Sequence, residues 1–485
     1  MSGIRKTFPG VIALESATFD LESGEVHALV GENGAGKSTL IKILTGVQHQ
    51  DSGTIELYGS HVTFNSPLDA QQALLATIYQ EFTLVPSLSV RANLFLGREK
   101  SRAGFLNERE EASKAKRILA KLGLAIDVET SVSELTIAQQ QLVEIGRALA
   151  SDAKILVMDE PTAALTPTEV RALFVVLREL AEQGIGMIFI SHRLDEIFEI
   201  ADRITVLRDG ATIETRAASN FTRRQLIELM VGRNIEEEYP KVKTEPKTEG
   251  LEVRNLKGSI VQDVSFTANR GEIVGIAGLM GAGRTEVVRM IFGADKLENG
   301  TISLDGKKIK ASSPREAIAQ GICLLTEDRK AQGLILRAAA KDNFALPNLK
   351  LWSVLGFIDK AKELSRFQKH VANLKIRISD AEQLAENLSG GNQQKLLVAR
   401  WLETNSQVVI FDEPTRGIDV GAKYEMYLLI GELALQGKVV IVVSSELPEL
   451  LGICDRILVM RRGRVAGEIT DVRTAKQDDV MALAV

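Results

Sequence analysis

The stretch GENGAGKSTL sets Gly31, Gly36, Lys37 and Ser38 at the spacing G-x-x-x-x-G-K-[ST]. The chemistry open to such a run is narrow. Glycines let successive backbone N–H groups curl around phosphate oxygens, and the helix that follows adds the positive end of its dipole. The lysine reaches the β and γ phosphates, and the hydroxyl after it can hold Mg²⁺. On this reading Gly31, Glu32, Asn33, Gly34, Ala35, Gly36, Lys37, Ser38 and Thr39 form one anion cradle. Downstream, ILVMDEPT ends an apolar run on Asp159 and Glu160. Asp159 is placed to hold Mg²⁺ through water, and Glu160 to polarise an attacking water. Two acids before Pro161 could also serve only to cap a helix, but the loop upstream gives them a cation to share. His192 follows the apolar run GMIFIS and could touch a γ-phosphate. A lone histidine is more often structural, and its place after Ile190–Ser191 is what raises it.

A second loop, GLMGAGRTEV, meets the same pattern at Gly278, Gly283 and Thr285, but Arg284 stands where lysine belongs. LSGGNQQK (Leu388–Lys395) precedes the helical pattern LLVARWLE. There Ser389, Gly390, Gly391 and Asn392 would leave a helix N-terminus free of bulky side chains, a further anion site. Ser389 could equally be a plain N-cap, and both roles are compatible.

These residues need a scaffold, and the chain supplies one twice. The two phosphate loops lie 247 residues apart. ILVMDEPT returns as VVIFDEPT, ISHRLDEI as VSSELPEL and ADRITVLRDG as CDRILVMRRG, each 253 residues on. Ordered matches of this kind imply a duplication, with a few extra residues in the second copy between loop and acid pair. Residues 1–235 and 251–485 are the expected domains. The charged, proline-bearing EEEYPKVKTEPKTEG (236–250) has almost nothing to bury and is expected to be a linker. Within each copy, EVHALV, AKILVMDE and GMIFIS, and their counterparts EIVGIAG, QVVIFDE and KVVIVVS, read as buried strands. Amphipathic stretches such as EEASKAKRILAKLG read as helices between them. The fold class is therefore α/β, a mostly parallel sheet with its site at the strand C-terminal ends.

Composition narrows the function classes. With 485 residues, 45% hydrophobic and 25% charged, the chain can build two or three real cores. A net charge of −5 is mild and gives no reason to expect a basic nucleic-acid surface. Cys323 and Cys454 make neither a metal spacing nor a disulfide framework, which fits a reducing compartment. No secretory signal and no apolar run of 18 residues are present. The chain is thus not expected to span a membrane, though it could dock on a protein that does.

Taken together the motifs resemble the ATPase of an ATP-binding-cassette transporter with two fused cassettes, each a P-loop RecA-like core with a helical subdomain. GENGAGKST and ILVMDEPT resemble its Walker A and Walker B, LSGGNQQK its signature, Gln80 its Q-loop glutamine and His192 its switch histidine. TFPGVIAL, SHRLDEIFEIADR, TEDRKAQGL and DEPTRGIDVGAK resemble the bacterial monosaccharide importers for ribose, xylose, galactose and arabinose. The resemblance covers essentially the whole chain. It implies ATP and Mg²⁺ as cofactors, with Glu160, His192 and Gln80 catalytic and Ser38, Gln80 and Asp159 at the metal. It also implies two transmembrane permease subunits as partners, a periplasmic or lipoprotein sugar-binding protein acting indirectly, no nucleic acid and no direct contact with sugar. The place is the cytoplasmic face of the inner membrane, as a peripheral protein. Alternatives are the same motor serving a nucleoside or polyol, or a soluble twin-cassette ATPase on ribosomes or in DNA repair, although the short linker lacks the long basic helix of ribosome-acting relatives. Phe8 lies about where the family stacks a ring on adenine. The second copy opens with GLEVRNLKG and has no aromatic there. The first copy begins at Met1 nearly inside the equivalent loop, so its first edge strand is expected to be missing.

Cassettes of this family pair head to tail, each ATP lying between the Walker motifs of one and the signature of the other. One composite site would join Lys37, Ser38, Gln80, Asp159, Glu160 and His192 to Ser389, Gly390 and Gly391, with Asp419 as its D-loop residue. The other would join Arg284, Thr285, Glu327, Asp412, Glu413 and Ser445 to LTIAQQQ, with Thr166. Every departure falls on the second. Drift in a single cassette would have harmed both, so the second site is expected to bind nucleotide and turn it over poorly.

Overall fold

Each half of the chain builds its sheet from the apolar runs named above, and the same strand order arises twice. The computed structural model describes residues 1–9, 11–79, 82–99, 101–102, 105–163, 165–191, 193–232, 238–242, 246–310, 312–404 and 406–485. The chain divides into two compact units, Met1–Ile235 and Glu236–Val485.

In chain order the first unit holds β1 (Ser2–Phe8), β2 (Val11–Ala17), β3 (Val26–Val30), α1 (Lys37–Leu44), β4 (Ser52–Leu57), β5 (Ser60–Val62), α2 (Pro67–Gln72), β6 (Leu75–Ile78) and α3 (Val90–Phe95). A two-residue hairpin, β7 (Ser101–Arg102) and β8 (Phe105–Leu106), leads to α4 (Glu108–Lys121) and α5 (Ile137–Ala150). Then come β9 (Ile155–Asp159), α6 (Pro167–Glu182), β10 (Gly186–Ile190), α7 (Leu194–Ile200), β11 (Arg203–Arg208), β12 (Ala211–Ala217) and α8 (Arg223–Val231). The sheet order is β5-β4-β1-β2-β12-β11-β3-β10-β9-β6. β6, β9, β10, β3 and β11 are parallel, and all five residues of β3 and of β10 are buried. Helices on both faces explain why these strands read as unbroken apolar runs. Beside the sheet, α3, α4 and α5 enclose their own small core of Leu84, Val90, Leu94, Phe95, Leu119 and Val143. In α4 the buried positions are Glu111, Ala115, Ile118 and Leu119, the spacing of one helix face. Arg91 meets the buried Glu111 carboxylate at 3.0 Å.

The second unit repeats the plan. It holds β13 (Gly250–Gly258), β14 (Val261–Asn269), β15 (Ile273–Gly278), α9 (Arg284–Ile291), β16 (Asn299–Leu304), β17 (Lys307–Ile309), α10 (Pro314–Ala319), β18 (Ile322–Leu325) and α11 (Ala340–Ala345). The hairpin β19 (Ser353–Val354) and β20 (Phe357–Ile358) precedes α12 (Lys360–Asn373) and α13 (Gly390–Glu403). The remainder is β21 (Val408–Asp412), α14 (Val420–Leu435), β22 (Val439–Val443), α15 (Leu447–Ile453), β23 (Arg456–Arg461), β24 (Arg464–Ile469) and α16 (Gln477–Ala484). Its sheet order, β17-β16-β13-β14-β24-β23-β15-β22-β21-β18, matches the first element for element.

Two expectations need correction. The first copy does have its edge strand. β1 begins at Ser2 and pairs antiparallel with both β2 and β4, and the Met1 amino group donates to the Phe19 carbonyl at 2.9 Å. The sequence hid it because SGIRKTF carries one apolar anchor, Ile4, that is fully buried. The segment before β13 is also not without apolar burial. Tyr239 is half-buried, with its ring centroid 5.5 Å from that of Tyr427 on α14. Gly452 on α15 makes room for it, since a Cβ there would lie 2.3 Å from the ring, and Gly431 on α14 does the same for Val242. Lys241 donates to the Cys454 carbonyl at 2.5 Å. Residues 238–242 are thus seated on the second unit.

Candidate active site

β3 ends at Val30, and the chain then wraps through Gly31–Gly36 into α1. The turn is possible only for glycine at its last step. Gly36 has φ 104°, and a Cβ there would meet Leu14 Cδ2 at 2.5 Å and the Ala13 carbonyl at 2.7 Å. Gly34 also has positive φ, 86°, but open space around it. Gly36 is the N-cap of α1 and offers no side-chain cap, which leaves the first N–H groups of the helix free to receive an anion. Lys37 Nζ donates to the carbonyls of Gly31 at 2.7 Å and Glu32 at 3.0 Å, so the ammonium lies folded over the loop. Ser38 is exposed and Thr39 half-buried on the first turn of α1.

β9 delivers Asp159 and Glu160 to the same end of the sheet. Glu160 has φ 50°, a left-handed conformation that costs a non-glycine residue energy and recurs at functional sites. Its N–H donates to the Ile190 carbonyl at the end of β10 with a distance of 2.9 Å. The bend turns the glutamate out of the strand and ties it to the strand that leads to His192. Burial, then the neighbouring Glu160 charge, push the Asp159 carboxyl above its usual range, and Lys37 pulls it back. Such a site gains from a cation, and the Ser38 hydroxyl and Asp159 carboxylate are the donor types that suit Mg²⁺. Behind it, the Thr162 and Ser191 hydroxyls both donate to the buried Glu196 carboxylate, at 2.5 and 2.9 Å, and Arg193 pairs with its other oxygen at 2.6 Å. Glu196 therefore staples the turn after Glu160 to the end of β10. Glu196 stands within SHRLDEI, where nothing in the residue pattern marks this role. Gln80 and His192 lie outside the described residues. Phe8 is 39% exposed on the β1–β2 hairpin with Lys6 Nζ 5.7 Å from its ring centroid.

The second unit shows what the altered residues do. Gly278 and Gly283 keep the loop path, with φ 150° and 101°, and Gly283 caps α9 as Gly36 caps α1. Leu279 and Met280 replace Glu32 and Asn33, and Met280 is 98% exposed. The longer, planar guanidinium of Arg284 does not fold over the loop. It donates to the Ser444 carbonyl at 2.9 Å and lies 3.6 Å from the Glu413 carboxylate. Ser445, in the switch position, donates to the other oxygen of Glu413 at 3.1 Å. Glu413 shares the left-handed backbone of Glu160, with φ 48°, yet its carboxylate is already occupied on both sides. Thr285 donates to Asp412 at 3.3 Å, and burial pushes the Asp412 carboxyl up to about 6. Glu327 is ion-paired with Arg416. It does not bring a free carboxylate to the phosphate loop.

The signature stretches also differ. Ser389 is the N-cap of α13 and accepts from the Asn392 backbone and side chain at 3.4 and 2.9 Å. Asn392 in turn accepts from the Arg377 N–H at 2.9 Å. Gly391 packs close to Ala422, where a Cβ would lie 3.3 Å from that methyl. The counterpart in the first unit starts α5 from a Thr136–Gln139 capping box, and Ile137 stands 47% exposed where Gly390 has no side chain.

Residues 14–163 and 261–416 match the protein family described as ABC transporter. Over its full length the chain is 48% identical to the ribose import ATP-binding protein RbsA 3 of Rubrobacter xylanophilus, covering 97% of that protein. It is likewise 48% identical, over 100% of this chain and 97% of the relative, to a putative ribose/galactose/methyl galactoside import ATP-binding protein of Albidiferax ferrireducens. Among solved structures, an RNase-L inhibitor aligns over 97% of this chain and 90% of its own, with a TM-score of 0.62 and 21% identity, a likeness of fold. No helix among the described residues is long and apolar enough to cross a membrane.

Proposed function

From a chain that belongs to the ATP-binding-cassette transporter family, we infer an ATP-hydrolysing subunit that powers monosaccharide import across a bacterial membrane. The observation that carries the catalytic part is the contrast between the two acid pairs. Glu160 follows a strand beside a loop whose lysine folds over its own carbonyls, whereas in the second unit the residue in that lysine's place, Arg284, leaves its loop for Ser444 and Glu413. In this reading residues 1–235 and 251–485 are the cassettes and 236–250 joins them. ATP is bound by the Gly31–Thr39 loop, with Phe8 against the base. Ser38, Asp159 and Gln80 would hold Mg²⁺, which neutralises charge on the transferring phosphoryl group. Glu160 orients the attacking water, and His192 meets the γ-phosphate. Ser389, Gly390, Gly391 and Asn392 complete that site from the second cassette, where the N-terminus of α13 favours an anion. The site built on Gly278, Gly283, Arg284 and Thr285 binds nucleotide and contributes little turnover.

The partners in this reading are two transmembrane permease subunits, with a sugar-binding protein acting from the far side, and the subunit docks peripherally on the cytoplasmic face of the inner membrane. Reconstitution of the full chain with its permease and binding protein tests the function. Lys37→Ala should abolish ATP-driven uptake of a pentose or hexose into proteoliposomes, and cysteines at Val85 and Leu336 should crosslink to the permease. Unchanged uptake in the variant, or ATPase activity stimulated by ribosomes and not by sugar-loaded binding protein, would overturn it.

A further inference from the structure

The segment that follows Glu327 carries an arginine with an unusual seat. Asp328 accepts from the N–H groups of Lys330 and Ala331 and so starts a single π-helical turn, Arg329–Gly333. From that turn the half-buried Arg329 guanidinium spreads across two backbone carbonyls. One prong donates to Gly390 in the signature turn at 3.0 Å, the other to Gly417 in the loop after β21 at 3.3 Å. Two glycines make the seat. A Cβ at Gly390 would lie 3.2 Å from the Gly417 carbonyl and 3.6 Å from both guanidinium nitrogens, and one at Gly417 would lie 3.2 Å from Nη2. Gly417 needs glycine in any case, with φ 65°.

No ion pair accounts for this placement. Among the described residues no carboxylate lies within ion-pair distance of Arg329. Burial disfavours its charge and holds its pKa below the usual arginine value. The cation also sits beside the N-terminus of α13, where the helix dipole repels it. A half-buried cation at a helix N-terminus loses hydration and opposes the dipole, a cost its two hydrogen bonds to carbonyls offset by holding the loops it grips. Among the described residues the first unit shows no such fork. At the same distance from its phosphate loop stands Phe82, which has no donor, and its signature turn carries Ile137 and Ala138 in place of the two glycines.

We propose that Arg329 is a positioning residue for ATP hydrolysis: it locks the signature turn at Gly390 to the loop that leads through Gly417 to Asp419, so that both are presented to the nucleotide as one piece. Asp419 caps α14 by accepting from the Ala422 N–H at 2.8 Å, so the grip on Gly417 extends to that helix. Glu327, two residues before Arg329, is ion-paired with Arg416 next to Gly417, so a second contact joins the same two segments. The proposal rests on the reading that the signature of the second cassette serves the ATP bound by Lys37.

The test uses the full chain assembled with its permease and compares Arg329→Ala, Arg329→Lys and Ser389→Arg for kcat, KM for ATP and thermal midpoint. Arg329→Ala should lower kcat by about tenfold or more while KM for ATP stays within about twofold, since two charge-assisted hydrogen bonds are lost from the hydrolysis geometry and none from the Lys37 loop. Arg329→Lys keeps the charge but loses the planar fork that spans the two carbonyls, and should fall between parent and alanine. If Ser389→Arg abolishes turnover while both Arg329 variants keep kcat within twofold of the parent, the role of Arg329 is refuted and the composite site stands. If Ser389→Arg leaves turnover unchanged, the composite site falls, and this proposal with it. A loss of kcat no larger than the loss of folded protein, for both Arg329 variants, would reduce Arg329 to a structural part and also overturn the proposal.

Discussion

Replacing Glu160 and Glu413 by glutamine, one at a time, separates the two acid pairs. Glutamine has the shape of glutamate and leaves the left-handed backbone at φ 50° and 48° as it is. What changes is the ability to orient and deprotonate water. A positioned base contributes ~10²–10⁴ in rate, or about 3–5 kcal/mol of barrier. Glu160→Gln should therefore lower steady-state ATPase of the assembled transporter by about that factor while ATP binding persists. Glu413 starts from a different position. Its carboxylate lies 3.6 Å from the Arg284 guanidinium, an attraction on the order of 4 kcal/mol at an effective dielectric of ~20 before desolvation, and accepts from Ser445 at 3.1 Å. Both partners hold the carboxylate and compete with a water for its oxygens. Glu413→Gln should thus change turnover by less than about threefold. In the Glu160→Gln background, Arg284→Lys should not restore turnover, because Ser445, Ile137 and Ala138 remain. Groups that act as a unit are not repaired singly. Phosphate release under saturating ATP reads all three. Equal losses for the two glutamine variants, or recovery in the double variant to near parental turnover, would refute the asymmetry.

Two further outcomes follow from single residues. Gly36→Ala should destabilise the first unit by about 2 kcal/mol or more and weaken ATP binding, since left-handed strain of ~1–2 kcal/mol adds to a collision with the Ala13 carbonyl. Gly34→Ala meets open space and should cost only the strain, so equal thermal shifts would discount the collision. Glu449 is fully buried between Ser444 and Thr415, and burial pushes its carboxyl up to about 7 from 4.5. An acid raised on folding contributes most stability below pH 4.5 and loses it as pH climbs to about 7. Glu449→Gln should accordingly be more stable than the parent by about 3 kcal/mol at pH 8, with a gain about 1 kcal/mol smaller at pH 6. Denaturant melts at the two pH values check the sign, and a gain that shrinks on going from pH 6 to pH 8 would contradict it.

The phosphate loop, the acid pair and the doubling were legible in the residues because each depends on short-range chemistry. A G-x-x-x-x-G-K-S run dictates its own turn, and VHALV or GMIFI can only be a buried strand once helices follow. The parallel core of each sheet follows from that alternation. β1 was harder to see, since a half-exposed edge strand such as SGIRKTF needs only one buried anchor and is defined by its partners β2 and β4.

What the sequence by itself determined, then, is the identity of the groups that meet phosphate and the asymmetry between the two copies. That Arg284, Glu327 and Ser445 depart from the pattern is visible letter by letter. Where their charges go is not. Arg284 reaches Ser444 and Glu413, 160 and 129 residues away, and Glu327 reaches Arg416. The Glu196 staple and the Arg329 fork join segments separated by 34 and 61 residues or more. Such pairings belong to tertiary structure because a carboxylate or guanidinium can satisfy itself with many partners of the same chemistry. Only the strands and helices that bring two loops to one end of the sheet decide which partner lies within reach.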